Sequence, residues 1–540
     1  MVNSQRPSQN SQQHIQHLLQ LFNNRQLDAA ISLGKDILKL NSKLALVHSV
    51  IAAALSLQDR QLEALPFFEK AAHLEGQTPE HHFNLALALT GLGRHRESIQ
   101  SYERTVRLNP QFVVAHFNMG VAFLALNEYS QSIASFEEAT RLQPTYTEAW
   151  GNLGVAHQHA GMLEKAITSY QKAISIQPKA KLYLSLGSAY QNQGNLSAAL
   201  EQYRVAIEMD VRSAEAYDKL GSALWAQGKV DEALKAHETA LSLDSDFAEA
   251  HYHLGVILQE GKAYDRAQLH FEAAKIHDWQ ARCLYCLYKS KQFDAFHARL
   301  LIALDAPHIE PFIATLSAHY SAQFHTPDPY TFCPNPMDFI YHGHISELDP
   351  SLFGLRADLL ADILKTDIAE RKQGRLYEGI QSAGNLFRRD ESSFQQLAAC
   401  ILQQVQKYKE TFGHSSCNLI QQFPNDPKFT SAWFIKMRKG GHLSSHIHEE
   451  GWISGSVYLA MPDTPEGALD GSIEFSMDGD DYPKQSTHFS VKVITPKVGD
   501  IVLFPSSLFH RTLPFESEQD RVCIAFDIRP APQRTAIASQ

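Results

Sequence analysis

Residues 440–462 read GGHLSSHIHEEGWISGSVYLAMP, and residues 496–528 read PKVGDIVLFPSSLFHRTLPFESEQDRVCIAFDI. Side chains two apart on an extended segment point to the same side, so His446 and His448 can offer two imidazoles to one metal ion from a single strand end. In the second stretch, Gly499 marks a turn, Ile501 to Phe504 form a short apolar strand, Pro505 breaks it, and His510 follows as a third candidate ligand. Eleven residues on, Arg521 opens a strand in which Arg521, Cys523 and Ala525 share one face while Val522, Ile524 and Phe526 share the other. An arginine flanked by small residues suits an anionic ligand, because guanidinium grips a carboxylate through two parallel hydrogen bonds.

Taken in order, HxH, apolar strand, distal His and then Arg resemble the double-stranded β-helix core of the 2-oxoglutarate and Fe(II) dependent oxygenases. In particular they look like the bacterial group in which HxH is followed by S-G-x-x-Y-L, here Ser454, Gly455, Ser456, Val457, Tyr458 and Leu459. GIQSAGNLF at 379–387 is similar to that group as well. The resemblance implies that His446 and His510 hold Fe(II), with the third ligand to be found beside His446. It also implies that Arg521 with Tyr458 holds the distal carboxylate of 2-oxoglutarate, the cosubstrate, and that the reaction is hydroxylation of a C–H bond.

One departure stands out. The usual triad in non-haem oxygenases is two His and one carboxylate, and His448 occupies the position where Asp or Glu is expected. Either His448 binds as a neutral third ligand, or the pair shifts to His448 and Glu450 as an H-x-E; the resemblance favours His446 with His448. A cupin-type metal module is the competing reading, since Gly440 and the HxH match a cupin start. Such a site wants Glu four or five residues after the second His, where Trp452 and Ile453 stand. A catalytically inactive oxygenase fold serving as a scaffold is a third reading, against which Arg521 speaks.

Ahead of this region the chain repeats. Pro110, Pro144 and Pro178 lie 34 apart, and Gly120, Gly154, Gly187, Gly221 and Gly255 recur at 33 or 34. A period of 34 with two amphipathic helices per unit is the signature of tetratricopeptide repeats, in which small residues let helices approach and each unit buries its apolar face against its neighbours. The expected architecture is multidomain, an all-α repeat superhelix followed by an α+β domain with a jelly-roll core. The expected divisions are a disordered lead at 1–12, about eight repeats over 13–280, a helical cap and linker at 281–325, and the oxygenase-like domain with its support helices at 326–535. Within the repeats Asn84, Asn118 and Asn152 also sit 34 apart on first helices; resemblance to other tetratricopeptide proteins implies a ladder that hydrogen bonds a peptide backbone in the groove, the alternative being repeat consensus on a solvated helix surface. The partner or substrate expected is therefore a protein or peptide.

Composition narrows the alternatives. The 540 residues are 44% hydrophobic and carry 48 Lys plus Arg against 59 Asp plus Glu, a net charge of −11 without a block of like charge, which offers nothing to nucleic acid. The polar start has no apolar signal core, and no apolar run is long enough to span a membrane, so a cytoplasmic protein is expected. Six cysteines in a chain this long form no disulfide framework. The lone CxxC of Cys283 and Cys286 lies in a helical stretch and reads as packing. A second HxH, His342 and His344, lacks a distal His and Arg and reads as structural.

Overall fold

The repeat of 34 residues becomes a repeat of two helices. The computed structural model describes residues 9–304, 310–352, 354–365, 370–371, 374–382, 385–389, 391–449, 451–463, 465, 467–485 and 489–530. The expected lead lies outside these up to residue 8, and from Gln9 the chain is helical. Contacts divide the chain into two compact units, residues 1–250 and 251–540.

The first unit is a tetratricopeptide-type helical array. Its helices pair as Val113–Ala125 with Tyr129–Leu142, Thr147–His159 with Leu163–Ile176, and Ala180–Asn192 with Leu196–Met209, among others. Each recurring glycine faces an aromatic ring sixteen residues on: a Cβ built at Gly120 would meet Phe136 at 2.8 Å, one at Gly154 would meet Tyr170 at 2.6 Å, and one at Gly187 would meet Tyr203 at 2.5 Å. The ring fills the space the missing side chain leaves, which fixes the spacing of the two helices of a pair. Pro110, Pro144 and Pro178 stand two residues beyond the last residue of their helices, where no further turn can form.

The second unit begins with more helices, including Trp279–Lys289, Phe293–Ala303 and Pro311–Phe324, and continues into strands. These are β1 (Tyr341–His344), β2 (Glu370–Arg371), β3 (Leu376–Ser382), β4 (Pro427–His446), β5 (Ile453–Ala460), β6 (Ile473–Ser476), β7 (Val491–Ile494), β8 (Asp500–Pro505), β9 (Phe509–Thr512) and β10 (Arg521–Pro530). They hydrogen bond in the order β1-β8-β5-β10-β4-β9-β6-β7, with β3 against β4 and β2 against β3, every pairing antiparallel. The sheet curls because β4 changes partner along its length. Residues 427–437 pair with β10, and Leu443 and His446 pair with β9. Between them Gly440 takes φ +77° and its N–H bonds the Phe515 carbonyl. That left-handed conformation costs glycine little and other residues more.

The alternation read from β10 holds. Val522, Ile524 and Phe526 join the cluster that faces the helices, with Leu397, Ile401 and Val405 of the long helix Ser392–Phe412, whereas Cys523 and Ala525 join the inner cluster with Ile435, Tyr458 and Ile473. The segment 281–325 contributes to the outer cluster too, through Leu284, Phe296, Phe312 and Leu316. Thr315 ties that segment down by donating from its hydroxyl to the Ser507 carbonyl at 2.8 Å. Among the described residues no helix is long and apolar enough to cross a membrane.

Phe312 is 2% exposed within the core shared with the sheet. Phe312→Ala should therefore cost about 3–5 kcal/mol, read as faster hydrogen exchange of the β10 amides. Unchanged exchange there would mean that helix Pro311–Phe324 is not part of the sheet's core.

Candidate metal and anion site

The inner face of the curled sheet encloses a cavity of about 450 Å³, lined among others by Trp433, His446, His448, His510, Arg521 and Asp527. His446 ends β4 and stands opposite His510 of β9 in the antiparallel register. Directly opposed side chains in such a pair are neighbours, and the two rings lie 4.3 Å apart between centroids. His448, two residues past the end of β4, turns back so that its Nε2 lies 3.4 Å from Nε2 of His446. One nitrogen from each of the three rings lies within 4.8 Å of the others. Glu450, the alternative ligand, lies outside the described residues.

Each ring is held from behind. His446 Nδ1 donates to the Ser444 carbonyl at 2.9 Å, His510 Nδ1 to the Leu508 carbonyl at 3.2 Å, and His448 Nδ1 to the Asp527 carboxylate. Since the acceptors cannot donate, these partners assign the protons to Nδ1 and leave three Nε2 lone pairs converging on one point. Burial, reinforced by His448, pushes His446 down to about 3, and burial together with the neighbouring His446 and His448 drives His510 well below its ordinary value. Both rings are neutral at pH 7 and ready to ligate. Lone pairs that converge repel unless a cation sits among them. The donor set therefore fits a divalent metal bound on one face.

At the other end of the cavity Arg521 is 2% exposed. Its Nε donates to the Gly471 carbonyl at 3.0 Å, Nη1 lies 3.4 Å from Cys523 Sγ, and the guanidinium sits 5.1 Å from the centre of the Tyr458 ring. Among the described residues Arg521 forms no ion pair with a carboxylate. Burying an unpaired charge costs several kcal/mol in order of magnitude, so the arrangement suits an anionic ligand. Among the described residues the buried Tyr458 hydroxyl, beside the Arg521 guanidinium, meets no partner at hydrogen-bond geometry, a donor that such a ligand would satisfy.

Two features of the site escape the sequence reading. Asp527 is one: it continues the inward face of Arg521, Cys523 and Ala525 by one more step of two, and that alternation was the signal that could have found it. The other is the stripe Arg282, Tyr285 and Lys289 on helix Trp279–Lys289. Arg282 pairs with Glu449, the residue after His448, at 2.6 Å and with Asp278 at 3.0 Å. Lys289 donates to the Asp480 and Asp481 carbonyls at 2.9 and 3.0 Å, and Tyr285 packs on Tyr482. That helix thus holds both Glu449, which lines the cavity, and the separate loop that carries Asp480 and Asp481.

The remaining candidates stand apart. His342 and His344 both bind Asp500, at 2.8 and 2.9 Å, and fasten β1 to β8. Cys283 and Cys286 are buried in their helix, and burial pushes both thiols up to about 12. Asn84, Asn118 and Asn152 are half-buried on the first helices of their repeats, and Asn152 donates to the Glu148 carbonyl of its own helix at 3.0 Å.

Comparison with known proteins finds two kinds of family match along the chain. Residues 431–527 match the family described as "Putative 2OG-Fe(II) oxygenase", a span that begins on β4 and ends at Asp527. Residues 81–112, 113–146 and 147–179 match tetratricopeptide repeat families, as do 187–228 and 221–260. No curated protein matches the chain. Among solved structures, MamA from Desulfovibrio magneticus RS-1 is 23% identical over 31% of this chain and 94% of its own, with a TM-score of 0.30. The C-terminal part of a TPR repeat-containing protein from Cytophaga hutchinsonii is 18% identical over 44% of this chain and 97% of its own, at 0.38. YrrB, titled a TPR protein with an unusual peptide-binding site, is 21% identical over 35% and 97%, at 0.29.

With three rings around one point, His510→Ala should remove Co(II) binding to the purified protein, measured by the visible absorption of the bound ion. A variant that keeps the parent's affinity would show that His510 is not a ligand.

Proposed function

Because the chain joins tetratricopeptide repeats to a segment of the 2OG-Fe(II) oxygenase family, we propose that it is a 2-oxoglutarate and Fe(II) dependent dioxygenase acting on a protein or peptide. The observation that carries the reading is a single cavity with three converging imidazole lone pairs at one end and a buried arginine lacking a carboxylate partner at the other. His446, His448 and His510 would hold Fe(II). The chemistry that Fe(II) and 2-oxoglutarate supply when bound is oxidative decarboxylation to succinate coupled to hydroxylation of a C–H bond.

The chain's own residues bind, orient and shield. Arg521 would take the distal carboxylate in a two-point contact, with the Tyr458 hydroxyl donating to the same group. Charge supports the pairing of a dication with a dianion. Apart from the histidines, the cavity carries +1 from Arg521 and −1 from Asp527, while its other charged lining residues, Arg375 and Glu449, are paired outward with Asp480 and Arg282. A divalent ion together with a dicarboxylate leaves that sum unchanged, whereas either alone would leave a net charge of two in a buried space.

The repeats bind protein partners, and on the same chain they would raise the local concentration of a target side chain near the cavity, so a weak groove can still select substrates. Asn84, Asn118 and Asn152 are the candidates for holding its backbone. Six cysteines, all free, support a reducing compartment such as the cytoplasm.

The test is formation of succinate from 2-oxoglutarate by the purified chain with and without Fe(II). Activity should require iron. Arg521→Ala should keep the metal but raise the 2-oxoglutarate requirement by an amount equivalent to about 2–5 kcal/mol, roughly thirtyfold or more. An unchanged cosubstrate requirement would remove Arg521 from the role.

A further inference from the structure

The imidazole triad raises a question of charge, because three neutral ligands leave a divalent ion with both its charges where two histidines and a carboxylate would leave one. We infer that Asp527 is the carboxylate of this site displaced outward by one hydrogen bond, a positioning residue that makes His448 an anion-like ligand; the inference rests on the metal site proposed above.

Asp527 is 8% exposed and is the last inward residue of β10 before the register shifts. Its Oδ1 accepts from His448 Nδ1 and from Ser454 Oγ at 2.6 Å, and its Oδ2 accepts from Ser431 Oγ at 2.8 Å. Those are three donors, and none of them is Lys or Arg. A buried carboxylate without a cationic side chain is costly unless another positive charge lies near. His448 provides the route to one: the ring that gives its Nδ1 proton to Asp527 presents Nε2 toward His446 and His510, where the metal would sit.

A hydrogen bond of this kind fixes the tautomer, locks the ring and makes its free nitrogen a better donor. The surroundings hold the carboxylate in place. A Cβ built at Gly451 would meet Asp527 Oδ1 at 3.1 Å, and Ser454 is itself bound to Ser506 at 2.7 Å. Asp527 is excluded as a direct ligand by its position, since it meets the Nδ1 side of His448 and not the Nε2 side. The HxH of this chain thus keeps the charge of the usual triad while presenting only nitrogen to the metal.

The experiment uses the full chain loaded anaerobically with Co(II), which reports on the ligands without turnover. Affinity is taken from absorption titrations, and the exchangeable imidazole N–H resonances are read by paramagnetic proton NMR. Asp527→Asn should weaken Co(II) binding about 10- to 100-fold and move one of the three N–H resonances, leaving the other two in place. If Asp527→Asn does not fold, Ser431→Ala serves instead. It takes one donor from the carboxylate, so the same resonance should move in the opposite direction while affinity is kept. Parent-like affinity with all three resonances unmoved would overturn the inference and leave the metal site standing. A parent protein that fails to bind Co(II), or that binds it equally after His510→Ala, would overturn the metal site and the inference together.

Discussion

The antiparallel register that sets His446 of β4 against His510 of β9 is the constraint on which the site depends. A slip of one residue would turn one imidazole out of the cavity, since successive side chains on a strand face opposite ways. That register is available because β4 releases β10 after Met437 and takes up β9 at Leu443, bending through Gly440 in the left-handed region. The same strand therefore builds both ends of the cavity. Its first half fixes β10, and with it Arg521 opposite Met437; its last residue is a candidate metal ligand.

Arg521 and Asp527 lie on one strand, six residues or about 20 Å of extended chain apart, and carry opposite charges into the same enclosed space. Neither is paired with a side chain of opposite charge other than a histidine among the described residues. Opposite charges so placed offset one another across the cavity. In the proposed reading, the direction of the strand would place the cation toward His448 and the anion toward Arg521.

Much of this was legible because it is periodic. The alternation Arg521, Cys523, Ala525 against Val522, Ile524, Phe526 sorts correctly between the two cores, and the 34-residue recurrence of Gly120, Gly154 and Gly187 marks where rings from the paired helix fill the gap. Asp527 obeys the same alternation and needed only one step further. Arg282 obeys none that points to its role: its contact with Glu449 joins residues 167 apart, and helical periodicity says which face is apolar, not which loop that face will meet. The partner change in β4 was hidden for the same reason, because a continuous strand of 20 residues carries no mark of where its neighbour changes beyond the paired glycines at Gly440 and Gly441.

If the cavity accepts a dication and a dicarboxylate as a neutral pair, each must strengthen the binding of the other by the same factor. Calorimetric titration of Mn(II) into the full chain, with and without saturating 2-oxoglutarate, and the reverse titration, measures both sides of that linkage. The account predicts equal tightening in the two directions, about 5- to 150-fold, and its loss in Arg521→Ala. A Mn(II) affinity indifferent to 2-oxoglutarate would contradict it.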